Sequence, residues 1–347
     1  MKLAGLSAAL LATTAATTAA MAAPPALMPY KDVSLAVDAA NPRIATAVAG
    51  GAPQLLPQPG GLPGRADALI WSFATGECGA ERWGPFDTAE FARLNVAAFA
   101  AAGAGYIVAT GGEAGIFTCA SDAAMAAFVA RYDSPQLRGF DFDIEGAQTP
   151  AQMLSLMQRI AAMQPLRPGL RWSVTLATHA ADDGSRQGLN RTGEQVLAAA
   201  RQAGVLERLV VNLMVMNYGP AARRHCVRRA PQPAEGPRCD MGASALQAAR
   251  NLSAVHGIPL SRIAVTPMLG RNDVADNRFD LADARRLAED ARSAGLEAVH
   301  FWSLDRDRPC DGPGAAAGQL SPTCHGLPGL APLDFTTTLR SALPAPR

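Results

Sequence analysis

The sequence predicts an α/β chain closed into one (β/α)8 TIM barrel. Eight strand-like runs alternate with stretches of helical periodicity. The 347 residues suit one barrel with insertions. A hydrophobic content of 49% supplies a large core. Strands that alternate with helices imply parallel pairing, and eight such units favour a closed ring over the rival doubly wound open sheet.

The runs begin at Asp32 to Val37 and continue with Ala68 to Phe73, Gly105 to Thr110 and Gly139 to Glu145. The second half supplies Arg171 to Leu176, Leu209 to Met216, Arg262 to Met268 and Ala298 to Ser303. Between them, Met153, Leu156, Met157 and Ile160 keep the i, i+3, i+4, i+7 spacing of a one-sided helix. Phe91, Leu94 and Ala98 predict another helix, and Met125, Phe128 and Val129 a third, capped by Ser121. Further helices are expected over Glu194 to Ala203, Ala243 to Val255 and Leu281 to Ala294, the last ended by Gly295. Segment 38–66 reads as a loop, as do 219–241 and 307–332.

Residues 1–22 read as a signal peptide: Lys2, a small apolar run to Ala20, and the small-x-small site Ala20-Met21-Ala22. A membrane anchor is the rival, but the run is built of Ala and Thr rather than Leu. The expectation is a secreted barrel domain over 23–347, monomeric and without a membrane partner. The formal net charge of +1, with no basic stripe, points away from nucleic acid. Six cysteines in an exported chain suggest disulfides. Six cysteines allow 15 pairings. The simplest joins sequence neighbours: Cys78 with Cys119, Cys226 with Cys239, and Cys310 with Cys324. All six follow strand ends, on the face where a barrel carries its active site.

The most informative stretch is Gly139-Phe140-Asp141-Phe142-Asp143-Ile144-Glu145-Gly146. Strand side chains alternate, so Asp141, Asp143 and Glu145 share one face, and Phe140, Phe142 and Ile144 the other. The acids then stand about 6.6 Å apart in a column. Barrel interiors are normally apolar, and like charges this close cannot all ionise, so one should keep a proton near neutral pH. A protonated carboxyl at a strand's C-terminal end is what glycosidic cleavage requires. A metal site is the rival reading of three acids.

This run resembles the strand-four signature DxxDxDxE of family 18 glycoside hydrolases, the chitinases and their relatives. Asp141, Asp143 and Glu145 match its last three acids, and Arg138 stands at the first. Ala109-Thr110-Gly111-Gly112 resembles the SxGG element of strand three, with Ala109 for the serine; read alone, 111–115 is a weak match to a phosphate loop. Met214 to Gly219 is similar to a strand-six MxMDYG form, with Asn217 for the aspartate. Thr266 to Asp273 and Phe301 to Asp307 resemble the ends of strands seven and eight. The likeness spans roughly residues 28 to 310, in order.

The resemblance implies a retaining glycosidase acting on polysaccharides that contain N-acetylglucosamine, with no cofactor and no metal. Glu145 would be the acid/base. Asp143 would orient the substrate's acetamido group, Asp141 would share its proton, and Tyr218 would donate to the acetamido oxygen. Trp302 would form the floor of the sugar site, with Met214, Met216, Asn217, Gly111 and Gly112 lining it. Trp71 and Trp83 are further candidate sugar-stacking aromatics, and the five histidines read as structural. A sugar-binding, non-catalytic barrel of the same family is the alternative; retention of Glu145 argues for the enzyme.

Overall fold

The computed structural model describes residues 24–38, 40–229, 236–310 and 320–343. Eight parallel strands close into a barrel: β1 (Ala26–Asp32), β2 (Leu69–Ala74), β3 (Tyr106–Gly111), β4 (Leu137–Asp143), β5 (Arg171–Ala177), β6 (Val210–Met214), β7 (Ile263–Thr266) and β8 (Ala298–Phe301). Each pairs with its sequence neighbours, and β8 closes on β1 with Met28 opposite His300. The expected signal peptide lies outside the described residues. Among those residues, no helix is long and apolar enough to cross a membrane.

Among the described residues, seven α-helices pack outside: α1 (Thr88–Ala101), α2 (Asp122–Arg131), α3 (Pro150–Met163), α4 (Arg191–Gln202), α5 (Met241–His256), α6 (Leu281–Ala294) and α7 (Asp334–Ala342). Their boundaries follow local chemistry. Ser121 caps α2 through the Ala124 amide, Thr149 and Gln152 form a reciprocal capping box on α3, and Gly295 ends α6 in the left-handed region.

The first strand and the inner face of α1 depart from the sequence expectation. The first strand is Ala26–Asp32, not Asp32 to Val37. Pro29 and Lys31 disguise it, because neither is a favoured strand residue. The expected run instead turns at Ala36, where φ is +59°, and leaves Val37 exposed. Segment 38–66, expected as a loop, joins β1 to β2 with no α-helix among its described residues. That connection is an irregular loop with a two-residue ladder, Ala45–Thr46 against Gln54–Leu55. Asn95 of α1 pins it, accepting from the Ile44 amide and donating to the Pro42 carbonyl. Asn95 is buried, so the inner face of α1 is Phe91, Ala92, Asn95 and Phe99 rather than Phe91, Leu94 and Ala98.

Burial divides into two shells. Met28, Tyr30, Ile70, Ile107, Ala109, Ala264 and Ala298 fill the barrel. Residues of opposite parity, among them Trp71, Phe140, Phe142, Trp172 and Val174, pack outward under the helices. Trp71 lies flat on Tyr106 at 4.3 Å, and Trp83 stacks on Phe91 at 4.6 Å and donates to the Tyr132 hydroxyl. Both indoles are fully buried. They are core residues, which corrects the reading of them as sugar-stacking aromatics.

Disulfides fasten the loops beyond the strand ends. Cys78–Cys119 links the loops after β2 and β3, Cys226–Cys239 closes the loop after β6, and Cys310–Cys324 the loop after β8.

Candidate active site

The inward face of β4 begins its acid column at Asp141, which is fully buried. Asp141 Oδ2 accepts from the Tyr30 hydroxyl and the Thr175 hydroxyl, each at 2.8 Å. Its Oδ1 accepts from Ser173. Asn212 donates to both Tyr30 and Thr175, and Thr266 donates to the Asn212 amide oxygen at 2.9 Å. Burial raises the Asp141 carboxyl, and Arg171 and the three hydroxyls oppose that rise.

Asp143 stands one step nearer the mouth and is 4% exposed. Its Oδ1 has no hydrogen-bond partner. Burial first, then the charges of Glu145 and Asp141, push it well above the ordinary carboxylate range. A proton on Asp143 relieves all three penalties together.

Glu145 lies just beyond the end of β4, where water reaches it although protein surrounds most of it. Burial and the neighbouring Glu113 raise its carboxyl to about 7. The column therefore runs from a sealed, well-bonded carboxylate, through a sealed acid, to an accessible acid poised near neutrality.

Gly111, which ends β3, and Gly112, which follows it, allow this close approach. A Cβ on Gly111 would run into the Asp143 carbonyl oxygen, and one on Gly112 would sit 2.7 Å from the Phe73 ring. Both have φ near +80°, a region that L side chains rarely adopt. Phe73 in turn stacks on Trp302 at 5.6 Å with the planes 18° apart. Trp302 is half-buried beside Tyr30 at the barrel mouth, and Met214 and Met216 are half-buried on the β6 side.

Tyr218 departs from its expected place. Asn217 adopts φ +49°, which breaks strand alternation after Met216. Tyr218 consequently turns into the outer core, fully shielded, with the Asp283 carboxylate as the charge acting on its hydroxyl. Asn217 is exposed but committed to its loop: it donates to Asp273 at 2.7 Å and accepts from the Val274 amide. Arg138 sits at a bulge where β4 shifts register against β3, and it is exposed. It does not enter the acid column, so its presence does not disturb the charges there.

Several residues of the site escaped sequence reading. Ser173 and Thr175 alternate with Trp172 and Val174, so their inward parity was available. Tyr30 was hidden in the disguised first strand. Glu113 sat in a run that resembled a weak phosphate loop. One trio has metal-ligand spacing among the described residues, Glu77 with Cys78 and Cys119. Its sulfurs are joined to each other, so they offer no thiolate.

A barrel with a buried-to-open acid column at a strand's C-terminal end defines a class: the (β/α)8 barrel with its candidate site on the C-terminal face. Comparison narrows the likeness to chitinases. No family model matches the chain. Over 207 residues it is 32% identical to a probable bifunctional chitinase/lysozyme of Escherichia coli (strain K12), covering 56% of this chain and 21% of that protein. Over 185 residues it is 31% identical to Endochitinase 11 of Metarhizium anisopliae, covering 51% of this chain and 34% of that protein. The chain thus spans about a fifth to a third of the length of these curated relatives. The catalytic domain of a hyperthermophilic chitinase from Pyrococcus furiosus shares the fold, with a TM-score of 0.65 at 21% identity, over 94% of this chain and 99% of that one. In sequence and fold, the chain resembles the chitinases of glycoside hydrolase family 18.

Proposed function

We propose that this protein is a secreted glycosidase that cleaves β-1,4-linked N-acetylglucosamine polymers with retention of configuration, Glu145 acting as acid/base. The observation that carries the reading is the pairing of sealed Asp143 with open Glu145, whose carboxyl is raised to about 7. An acid poised there holds a proton at neutral pH and can deliver it to a leaving oxygen.

In this reading Glu145 protonates the glycosidic oxygen. The substrate's acetamido carbonyl attacks the anomeric carbon, the bond to the leaving group breaks, and its electron pair takes the Glu145 proton. Asp143, sharing its proton with Asp141 below it, accepts the acetamido N–H and stabilises the developing positive charge. Water then adds to the anomeric carbon from the face the leaving group vacated, the bond from that carbon to the acetamido oxygen breaks, and its electron pair restores the neutral acetamido group. Glu145 takes the water's proton and returns to the starting state. Trp302, backed by Phe73, is the apolar floor under the sugar. The three disulfides fit a chain that works in an oxidising compartment.

The test is the stereochemistry of freshly released product from defined N-acetylglucosamine oligomers, followed by proton NMR before mutarotation. Initial formation of the β-anomer is expected. Initial α-anomer would overturn the mechanism, and binding without cleavage would make the protein a sugar-binding barrel.

A further inference from the structure

Arg171 opens β5 at the base of the barrel and reaches across the floor to Glu297, just before β8. It donates from Nε at 2.8 Å and from Nη2 at 3.0 Å, a two-pronged pair. Its remaining donor, Nη1, lies 2.6 Å from Ser173 Oγ. Ser173 Oγ in turn lies against Asp141 Oδ1.

The direction of this chain is fixed by chemistry. A guanidinium can only donate. Ser173 must therefore accept from Arg171, which leaves its single hydrogen free to point at Asp141. Tyr30 and Thr175 supply the donors on the other oxygen. Asp141 thus receives three hydrogen bonds, an arrangement that suits a carboxylate and penalises its protonated form. On β3, Ala109 stands beside Asp141 in register and has only a methyl group to offer. The polarising role on Oδ1 falls to β5.

We propose that Arg171, acting through Ser173, is a positioning residue that holds Asp141 in place as the anionic partner of Asp143. As a statement about catalysis this rests on the glycosidase reading; as a statement about Asp141 it stands alone. The charged or titratable groups that act on Asp141 are Tyr30 from β1, Asp143 above it on β4 and Arg171 from β5, while from the β8 side Glu297 pairs with Arg171 and His300 lies edge-on to Tyr30. Asn212 from β6 is neutral. His300 is fully buried with neither ring nitrogen bonded, and burial, then Arg171, depress its basicity. It remains neutral, so Arg171 is the cation that acts on Asp141.

The experiment follows the aspartate carboxyl carbons by 13C NMR through a pH titration, with Asp141 assigned by loss of its signal in Asp141→Asn. Arg171→Met is combined with Glu297→Gln so that no buried charge is left alone. The Asp141 midpoint is expected to move to higher pH in that double variant and to return in Arg171→Lys. On N-acetylglucosamine oligomers, the acid limb of kcat/KM should move the same way. There, kcat should fall about tenfold to a hundredfold with KM nearly unchanged. Ser173→Ala removes the relay without touching the floor pair and should give the same direction of shift if the double variant does not fold. An Asp141 midpoint that is the same in the parent and in these variants would overturn the proposal. An inactive parent with a shifted midpoint would remove the glycosidase reading and leave the Arg171 relay standing.

Discussion

Phe73 and Trp302 stack at 5.6 Å across the closing seam of the barrel mouth, one at the end of β2 and the other directly after β8. Gly112 is what lets Phe73 stand there, since a Cβ at 112 would lie 2.7 Å from the ring. Gly112→Ala should therefore displace Phe73 and strain a backbone whose φ is +80°. A loss of about 1–3 kcal/mol in stability is expected, read by denaturant unfolding. The KM for N-acetylglucosamine oligomers should rise with it. Unchanged stability and KM would show that Phe73 does not support the floor.

Trp302→Ala should raise KM by about tenfold or more, because a flat apolar face for a sugar is worth on the order of 1 kcal/mol beyond its area. Trp302→Phe should recover part of the loss. Steady-state kinetics on defined oligomers reads both. An equal fall in kcat with no change in KM would assign the indole a different role.

Glu113 raises Glu145 by its negative charge. The acid form of Glu145 is the active one, so activity should fall as pH rises through about 7. Glu113→Gln removes the neighbouring charge, Glu145 then loses its proton more readily, and the alkaline limb of kcat/KM should move to lower pH. A limb that stays in place would mean that burial alone sets the acidity of Glu145.

Asp143 carries a stability signature of opposite sense to most carboxylates. Its folded value is raised, so its ionised form is disfavoured in the folded state. The stability it allows is fully present below the unfolded value of 3.8 and is lost as pH rises through the folded value. Asp143→Asn should thus stabilise the protein at pH 8 and change little at pH 3, while activity collapses. Thermal midpoints at the two pH values check the sign. A variant less stable than the parent at pH 8 would contradict a buried, protonatable Asp143.

The acid column was legible because a strand's period of two is strict: once Phe140, Phe142 and Ile144 face outward, Asp141, Asp143 and Glu145 must face in. The ring of eight strands was legible for the same reason. The first strand was not, because a proline and a lysine interrupt its pattern. Lys31 is buried by pairing with Asp305, a partner 274 residues away. Tyr218 was misplaced because one left-handed residue, Asn217, resets the alternation after β6, and Asn carries only a weak signal for that turn. Trp71 and Trp83 could not be sorted by residue type, since an indole serves equally well under a helix or under a sugar. The Arg171 relay needed three dimensions: Glu297 lies 126 residues from Arg171 in the chain.

The central claim is that the open acid at the top of this column breaks the glycosidic bond. Turnover of N-acetylglucosamine oligomers by Glu145→Gln, compared with the parent, tests it most directly. A kcat lower by about a hundredfold to ten-thousandfold is expected, with oligomer binding kept. A Glu145→Gln protein that cleaves at the parent's rate would contradict it.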